Sequence, residues 1–165
     1  MKGTCPERSD FVLGEMVLLA VVLGASSAAS AGGPDVAAVV HGSAQFSQNG
    51  DYTTITASDR AVINYHRFDI AQPETVEFIQ PGSAASVLNR ILAAEPTRID
   101  GTLLANGQVF FVNPAGVIFG PSAQVNVTQL VASALDISNA DFINGNLVFA
   151  GGLGSVVNNG NIHAE

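Results

Sequence analysis

Short apolar runs alternate with Gly, Asn, Asp and Pro along most of this chain, and after residue 31 no stretch keeps the spacing of an amphipathic helix. Apolar runs bounded by such turn residues are typical of β-strands. The segment 83–94 is open to two interpretations, because Ala and Leu favour a short helix whereas Val87 and Ile91 are compatible with a strand. The pattern predicts strands over Val36–Val40, Tyr52–Thr56, Arg60–Tyr65, Thr75–Gln80, Val87–Leu92, Gly107–Val112, Gly116–Phe119, Gln124–Val127, Ala132–Ile137, Asn146–Phe149 and Ser155–Val157.

A Gly-x-aliphatic triplet recurs in the second half of the chain, beginning at Gly101, Gly116, Gly145 and Gly160. The first and last of these intervals are equal, and the middle one is nearly twice as long. Asn gathers at the turns, and both Gly and Asn tolerate the left-handed backbone angles that sharp corners require. Short strands at regular intervals with such corners predict a parallel β-solenoid, in which each coil stacks on the last. A β-sandwich is the alternative, because its strands recur at a similar interval.

The two ends of the predicted solenoid are expected to differ from its coils. Residues up to Gln80 lack the triplet, so we expect a cap from about residue 32 to 80 and coils from about 81 to 165. A solenoid that stopped at Glu165 would leave backbone groups unpaired, so we expect this chain to be the start of a longer protein or a truncated relative of one. The alternative is that the last coil frays or is covered by another chain. The segments 75–80 and 87–92 are the candidate edges for pairing with a partner strand.

The N-terminal segment 1–31 has the features of a secretory signal peptide. Lys2 and Arg8 precede an apolar run over 16–23, and 29–31 reads Ala-Ser-Ala, a pattern typical of a cleavage site. The alternative is a membrane anchor, but the segment 16–31 falls short of the roughly 20 strongly apolar residues that span a bilayer. We therefore expect a signal peptide over 1–31.

Composition narrows the class of protein further. Hydrophobic residues make up 47% of the chain and charged residues 12%, which excludes a disordered chain. The net charge of −8 argues against nucleic acid as a partner, since its binding relies on Lys and Arg. Cys5 is the only cysteine, so an intrachain disulfide or a cysteine zinc site is excluded. Without the segment 1–31 the chain keeps four Arg, no Lys and eleven carboxylates, a net charge of −7.

The sequence Asn113-Pro114-Ala115-Gly116 has the residues that a type I turn prefers. Asn bonds forward to the backbone, Pro presets φ and Gly permits the exit. The tetrapeptide lies between two apolar runs, 109–112 and 117–119. It therefore predicts a tight corner between buried strands.

An ordered series of motifs surrounds this corner, over 63–70, 74–81, 88–91, 99–101, 105–109, 113–120 and 135–139. This series closely resembles the N-terminal secretion domain of two-partner-secretion exoproteins, the filamentous haemagglutinin family. It most resembles the branch of high-molecular-weight adhesins and haem-acquisition exoproteins. The resemblance runs from about Val36 to Ile162.

The resemblance implies an all-β fold, a right-handed parallel β-helix with an N-terminal cap. It implies one partner, an outer-membrane β-barrel transporter that recognises the domain through its own periplasmic domains. The exoprotein would enter the periplasm by its Sec signal peptide and reach the cell surface of a Gram-negative-type bacterium. Host or surface receptors would be bound by downstream regions, and neither a catalytic residue nor a cofactor is implied.

The family's Asn-Pro-Asn-Gly-Ile signature matches at Asn113, Pro114 and Gly116 and departs at Ala115, where Asn is usual, and Val117, where Ile is usual. Ala keeps the turn geometry but removes a side-chain amide, which bears on affinity for the transporter at this corner. The motif either contacts the transporter or fixes a turn that the fold needs, and the sequence leaves both open. Other positions matching family-like motifs are Asn64, Phe68, Ile70, Val76, Phe78, Gln80, Pro81, Leu88, Asn89, Arg90, Gly101, Asn106 and Gly107.

A β-solenoid that binds or cleaves carbohydrate is the alternative function. Asp69, Glu74 and Glu77 would supply the carboxylate pair of a glycosidase, but we expect them to be solvated residues beside the cap strands. A binding face would need a stacked array of Thr or aromatic residues, and the Thr residues within 53–56 are local and unrepeated. The three histidines, His41, His66 and His163, lack metal-ligand spacing, so no metal site is expected.

Overall fold

The computed structural model describes residues 33–165, so the predicted signal peptide lies outside the described residues. Among residues 33–165 no helix is both long and apolar enough to cross a membrane. The elements are β1 (Asp35–His41), β2 (Ala44–Asn49), β3 (Tyr52–Ala57), β4 (Ala61–Arg67), β5 (Thr75–Ile79), β6 (Ser86–Ile91), β7 (Thr97–Ile99), β8 (Thr102–Ala105), β9 (Gln108–Val112), β10 (Gly116–Phe119), β11 (Gln124–Val127), β12 (Gln129–Ser133), β13 (Asp136–Ile137), α1 (Asn139–Asn144), β14 (Phe149–Ala150), β15 (Ser155–Asn158) and β16 (Asn161–Ala164).

Three sheets form the sides of a parallel β-helix. Sheet A has the order β1-β4-β6-β9-β12, sheet B has the order β2-β3-β5-β8-β11-β16, and sheet C has the order β7-β10-β15. Within each sheet, strands from successive turns pair in parallel; only β1 and β2 add in antiparallel orientation, to β4 and β3. The predicted parallel solenoid is therefore confirmed over the sandwich alternative, and segment 83–94 contains strand β6.

The core fills the space between the three sheets. Inward-facing side chains at paired positions of successive strands stack on one another there. Alternate residues of β4, β6 and β9 belong to this core, and on sheet B buried and more exposed residues alternate along β5 and β11. Phe68 lies at the centre, with its ring centroid 5.0 Å from that of Tyr65 and 4.9 Å from that of Phe111. The edge-on contact between Phe68 and Phe111 therefore joins the first turn to the third by side-chain packing, in addition to the backbone pairing of successive strands.

Parallel pairing begins earlier than the cap boundary expected near residue 80. Strands β3 and β4 already pair in parallel with β5 and β6, so the antiparallel cap among the described residues ends with β2. The first full turn lacks the Gly-x-aliphatic triplet. Alternate residues of β3 and β4 nevertheless lie in the core, as stacking requires.

The four triplet glycines do not occupy one repeated position. Gly101 and Gly160 come just before β8 and β16 on sheet B, whereas Gly116 begins β10 on sheet C. Gly145 lies outside the coils, as the left-handed residue that ends α1 with φ 77°. The true repeat is the full turn, which is seen in the sheet A column of Val62, Leu88, Phe110 and Val131. Successive members of this column lie one turn apart, and the turn shortens along the chain.

A segment that leaves the coil between β12 and β15 covers the outer face of sheet A. This strap, residues 134–154, contains β13, α1 and β14, although a strand was expected over 146–149 and no helix was predicted. Ser138 caps α1 by accepting a hydrogen bond from the backbone N–H of Asp141. Ile137 and Phe142 of the strap pack on an apolar strip of sheet A, formed by Val62, Leu88, Phe110 and Val112.

Candidate functional site

The Asn113 corner is built around a buried amide. The Asn113 side chain is fully buried, and its Nδ2 donates to the carbonyl of Glu95 at 3.0 Å and to Oγ1 of Thr97 at 3.1 Å. Its Oδ1 accepts from the backbone N–H of Ala115 at 2.9 Å, and its carbonyl accepts from that of Gly116 at 2.8 Å. The predicted turn therefore forms, and the amide ties it to the preceding turn of the β-helix.

The next turn of the chain approaches the same corner from the other side. Gly116 has φ 123°, and a Cβ at this position would lie 2.7 Å from the carbonyl oxygen of Ser155. The N–H of Gly154 donates to the carbonyl of Pro114 at 3.0 Å. Both glycines are required because backbone from two turns meets here without room for a side chain.

Only part of the signature reaches the surface. Asn113, Gly116 and Val117 are buried, whereas Pro114 is exposed and Ala115 is half-buried. The first three therefore shape the corner, and a partner at this corner would meet Pro114 and Ala115.

The Leu88-Asn89-Arg90 motif serves three separate contacts. Leu88 packs beneath the strap, and Asn89, which is fully buried, accepts a hydrogen bond from the Tyr65 hydroxyl at 3.0 Å.

Arg90 points outward to the strap, where it donates hydrogen bonds to Asp136 at 2.9 Å and to Asn139 at 2.6 Å. Its guanidinium also donates to the carbonyl of Ile137, while Arg60 donates to the carbonyl of Ile143. Asn64 lies beside Arg90 in register.

Gln80 and Asn106, from two successive turns, form a reciprocal pair. Asn106 Oδ1 accepts from the backbone N–H of Gln80 at 2.7 Å, and its Nδ2 donates to the Gln80 carbonyl at 2.8 Å. The buried Gln80 side chain in turn donates to the carbonyl of Ala85 at 2.8 Å. Gly107 is needed beside this pair, because a Cβ there would lie 2.7 Å from Gln80 Cδ. The pair therefore aligns two turns.

The remaining family-like positions divide between core and surface. Gly101 lies where a Cβ would be 2.4 Å from the carbonyl oxygen of Glu74. Pro81 is exposed. The buried members are Phe68, Ile70, Val76 and Phe78.

The three carboxylates considered for hydrolysis have other partners. Glu74 is buried, contrary to the expectation that it would be solvated, and accepts from the N–H of Ala71 at 2.7 Å. Asp69 pairs with Arg67 at 2.5 Å, and Glu77 accepts from the Tyr52 hydroxyl at 2.8 Å. That bond to Glu77 is the main cause that raises the pKa of the Tyr52 phenol above 10.0. Within 33–165 no group of three His, Cys, Asp or Glu side chains is placed to hold a metal ion.

The strands expected to offer an edge are interior strands. The segments 75–80 and 87–92 contain β5 and β6, which pair on both sides, so neither has free backbone groups for a partner strand. The described edges of sheets A and B are instead β1 and β2 at one end and β12 and β16 at the other. Register shifts interrupt the pairing of β1, whereas β2 pairs with β3 without interruption over 44–49.

Sequence reasoning missed both β2 and the strap. A partial signal for β2 is the Asn-Gly pair at 49–50, which marks a hairpin turn before Tyr52. The strap offered a weaker signal, in which Ser138 is followed three positions later by an acidic residue, Asp141. This spacing is that of a helix N-terminus.

A family model described as the TPS secretion domain matches residues 31–165. Two Haemophilus influenzae proteins named heme/hemopexin-binding protein are similar, with 36% identity over 123 residues and 35% over 124. Each match covers 74% of this chain but only 14% or 13% of the relative's length. The crystal structure of the HMW1 secretion domain from Haemophilus influenzae superposes with a TM-score of 0.75 at 37% identity, covering 78% of this chain and 36% of that one.

The family match and the solved structure agree with the parallel β-helix and with the ordered motifs of the sequence. The chain therefore belongs to the TPS secretion domains of two-partner-secretion exoproteins, in the branch that contains haem-binding proteins and adhesins.

Proposed function

We propose that this domain directs export of its chain by binding the periplasmic domains of an outer-membrane β-barrel transporter. The observation that carries the proposal is the family match over residues 31–165. The proposed route is passage through the inner membrane by the signal peptide over 1–31, then through the transporter to the cell surface. The haem and hemopexin binding in the names of the relatives belongs to much longer proteins, and we assign this chain the export step.

We place the transporter contact at the outer edge of β2. This edge is regular over 44–49 and has no charged residue or proline, the usual protections against strand addition. Phe46 is 39% exposed on β2, beside a small cavity of about 160 Å³ that it shares with Val36 and Thr53. An added strand would gain main-chain hydrogen bonds along 44–49, and the cavity would take an apolar side chain.

Lysines on this edge provide the first test. We expect the double variant Gln45→Lys/Gln48→Lys to bind the purified periplasmic domains of the cognate transporter at least about tenfold more weakly, because edge lysines oppose strand addition. The matched control Gln129→Lys/Asn161→Lys carries the same added charge on β12 and β16, at the opposite end, and should bind normally. Equal weakening in both variants would disprove the β2 site, and no binding by the unaltered protein would disprove the function.

In our proposal the Asn113 corner supports recognition by stabilising the fold. It makes no contact with the transporter that determines the binding affinity. Its signature residues Asn113, Gly116 and Val117 are buried, which supports this view. We expect Ala115→Asn, which restores the usual family residue, to change transporter affinity less than about twofold. A gain of tenfold or more would show direct contact through the missing amide and would contradict the proposal.

A further inference from the structure

The outer face of sheet B carries two ordered columns of side chains. One column, read across the strands in register, is Tyr52, Thr75, Thr102, Gln124 and Asn161. Its neighbour is Thr54, Glu77, Leu104, Asn126 and His163. With strands about 4.8 Å apart, each column presents a side chain at that interval over about 19 Å. Two threonines, Thr75 and Thr102, are therefore stacked as neighbours on the sheet, although the sequence shows no repeated array of Thr.

A groove of about 270 Å³ lies across the last three strands of this face. It is lined by Thr102, Leu104, Gln124, Asn126, Asn161 and His163. The strap covers the outer face of sheet A, but no described segment covers this part of sheet B. The groove is therefore an open surface with an apolar patch at Leu104 beside several polar groups.

The charge of the face determines which ligands suit it. Across the two columns Glu77 is the one acidic residue, and no Lys or Arg is present, in a chain whose net charge is −8. The Glu77 carboxylate accepts a hydrogen bond from the Tyr52 hydroxyl and lies outside the groove. A face without Lys or Arg offers nothing to an anionic polymer. The groove itself is lined by uncharged groups and by His163, whose ring lies 3.4 Å from the Glu165 carboxylate, so it favours a neutral ligand over an anionic one.

The side chains in the groove have hydrogen-bonding capacity to spare. Asn161 and Gln124 share one long contact of 3.4 Å, and the side chains of Thr102 and Asn126 make no hydrogen bond to any described residue. Amides and hydroxyls are donors and acceptors at once, as sugar hydroxyls are. Leu104 adds an apolar surface against which the C–H face of a sugar ring can pack.

We propose that the groove on sheet B binds a neutral, unbranched oligosaccharide, with Gln124, Asn126 and Asn161 as its hydrogen-bonding groups. The ligand lies across the strands, so that successive sugar rings contact side chains from successive strands of the two columns. This binding is independent of export, because the proposed transporter contact is on β2 at the other edge of the sheet.

The test is calorimetric titration of the purified protein with three probes: a glucose hexamer, an N-acetylglucosamine hexamer and, as the charged comparison, a galacturonic acid hexamer. We expect saturable binding of at least one neutral hexamer and weaker binding of the charged one. The variant Gln124→Ala/Asn126→Ala should bind at least about tenfold more weakly, because it loses two hydrogen-bonding groups. The matched control Gln129→Ala/Asn144→Ala removes the same two amides from other faces and should bind as the unaltered protein does.

Three outcomes would overturn the proposal: no binding of either neutral hexamer, preferential binding of the charged hexamer, or equal loss in the groove and control variants. Circular dichroism of each variant, compared with the unaltered protein, shows whether a loss of binding comes from loss of fold. If the double variant does not fold, the single variant Asn126→Ala replaces it, because the Asn126 side chain is exposed. Export by the unaltered transporter should be unchanged in the groove variant, which separates this proposal from the proposed function.

Discussion

The buried side-chain amide of Asn113 donates a hydrogen bond of 3.1 Å to the hydroxyl of Thr97, and so joins the corner of one turn to the start of a strand in the turn before it. Thr97 is 2% exposed, so water cannot replace the amide. The same amide donates to the carbonyl of Glu95 and accepts from the N–H of Ala115. We expect Asn113→Ala to lower the free energy of unfolding by about 3 kcal/mol, because buried groups would be left without partners.

Urea unfolding followed by circular dichroism measures this change. The matched control is Asn144→Ala, which removes an exposed amide at the end of α1 and should cost less than about 0.5 kcal/mol. A loss for Asn113→Ala no larger than that of the control would show that the amide does not hold the turns together.

Gly116 and Gly50 form a second matched pair, because both have positive φ but only Gly116 is enclosed. A Cβ on Gly116 would lie 2.7 Å from the Ser155 carbonyl oxygen, whereas no atom of residues 33–165 lies within 4 Å of one on Gly50. We expect Gly50→Ala to cost about 1 kcal/mol from backbone strain alone. Gly116→Ala should cost at least about 2 kcal/mol more, because the backbone of β15 must also shift. Thermal or urea unfolding measures both changes. Equal losses of stability in Gly50→Ala and Gly116→Ala would disprove the close approach of Gly116 to Ser155.

Arg90 holds the strap to sheet A. Its side chain is only 13% exposed and donates to Asp136, Asn139 and the carbonyl of Ile137. We expect Arg90→Ala to destabilise the domain by about 2–4 kcal/mol, because these partners lose a largely buried cation. Amide hydrogen exchange over 136–143 should accelerate more than exchange in β9.

Arg67 is the control for this prediction. It also forms an ion pair, with Asp69, but its side chain is 58% exposed. Arg67→Ala should therefore cost less than about 1 kcal/mol and leave exchange in the strap unchanged. If Arg90→Ala behaved like Arg67→Ala, the strap would be held by its apolar contacts alone.

The sequence predicted the stacking of strands because stacking depends on local features. The short apolar runs of β4 and β9 and the turn residues at Asn113 can each be recognised within a short stretch of chain. The length of a full turn could not be read in the same way, because the corners differ from turn to turn and the strap interrupts one of them. Gly145 illustrates the error: it shares the triplet of Gly101 but ends a helix outside the coils.

The candidate sites were harder to predict for the same reason. Whether β5 has a free edge depends on β3 and β8, which belong to the preceding and following turns and pair with it on either side. The polar columns of sheet B exist only once those strands are aligned, so Thr75 and Thr102 appear unrelated in the sequence. By contrast, the signature at Asn113 is contiguous, and the turn that it predicts is present.

The chain has two tyrosines, and the fold raises the pKa of both. The hydrogen bond to Glu77 is the main cause for Tyr52, and burial is the cause for Tyr65. A raised phenol pKa means that the fold prefers the neutral ring. The resulting stability is fully present below the unfolded pKa, which is near 10, and is lost as the pH rises through the folded pKa.

Ultraviolet titration should therefore show no ionisation with a midpoint at 10 while the domain is folded, and Tyr65 should ionise only as it unfolds. In Glu77→Gln the midpoint of Tyr52 should fall toward 10, whereas Tyr65→Phe should leave it unchanged. An unaltered Tyr52 midpoint in Glu77→Gln would mean that the hydrogen bond is not formed in solution.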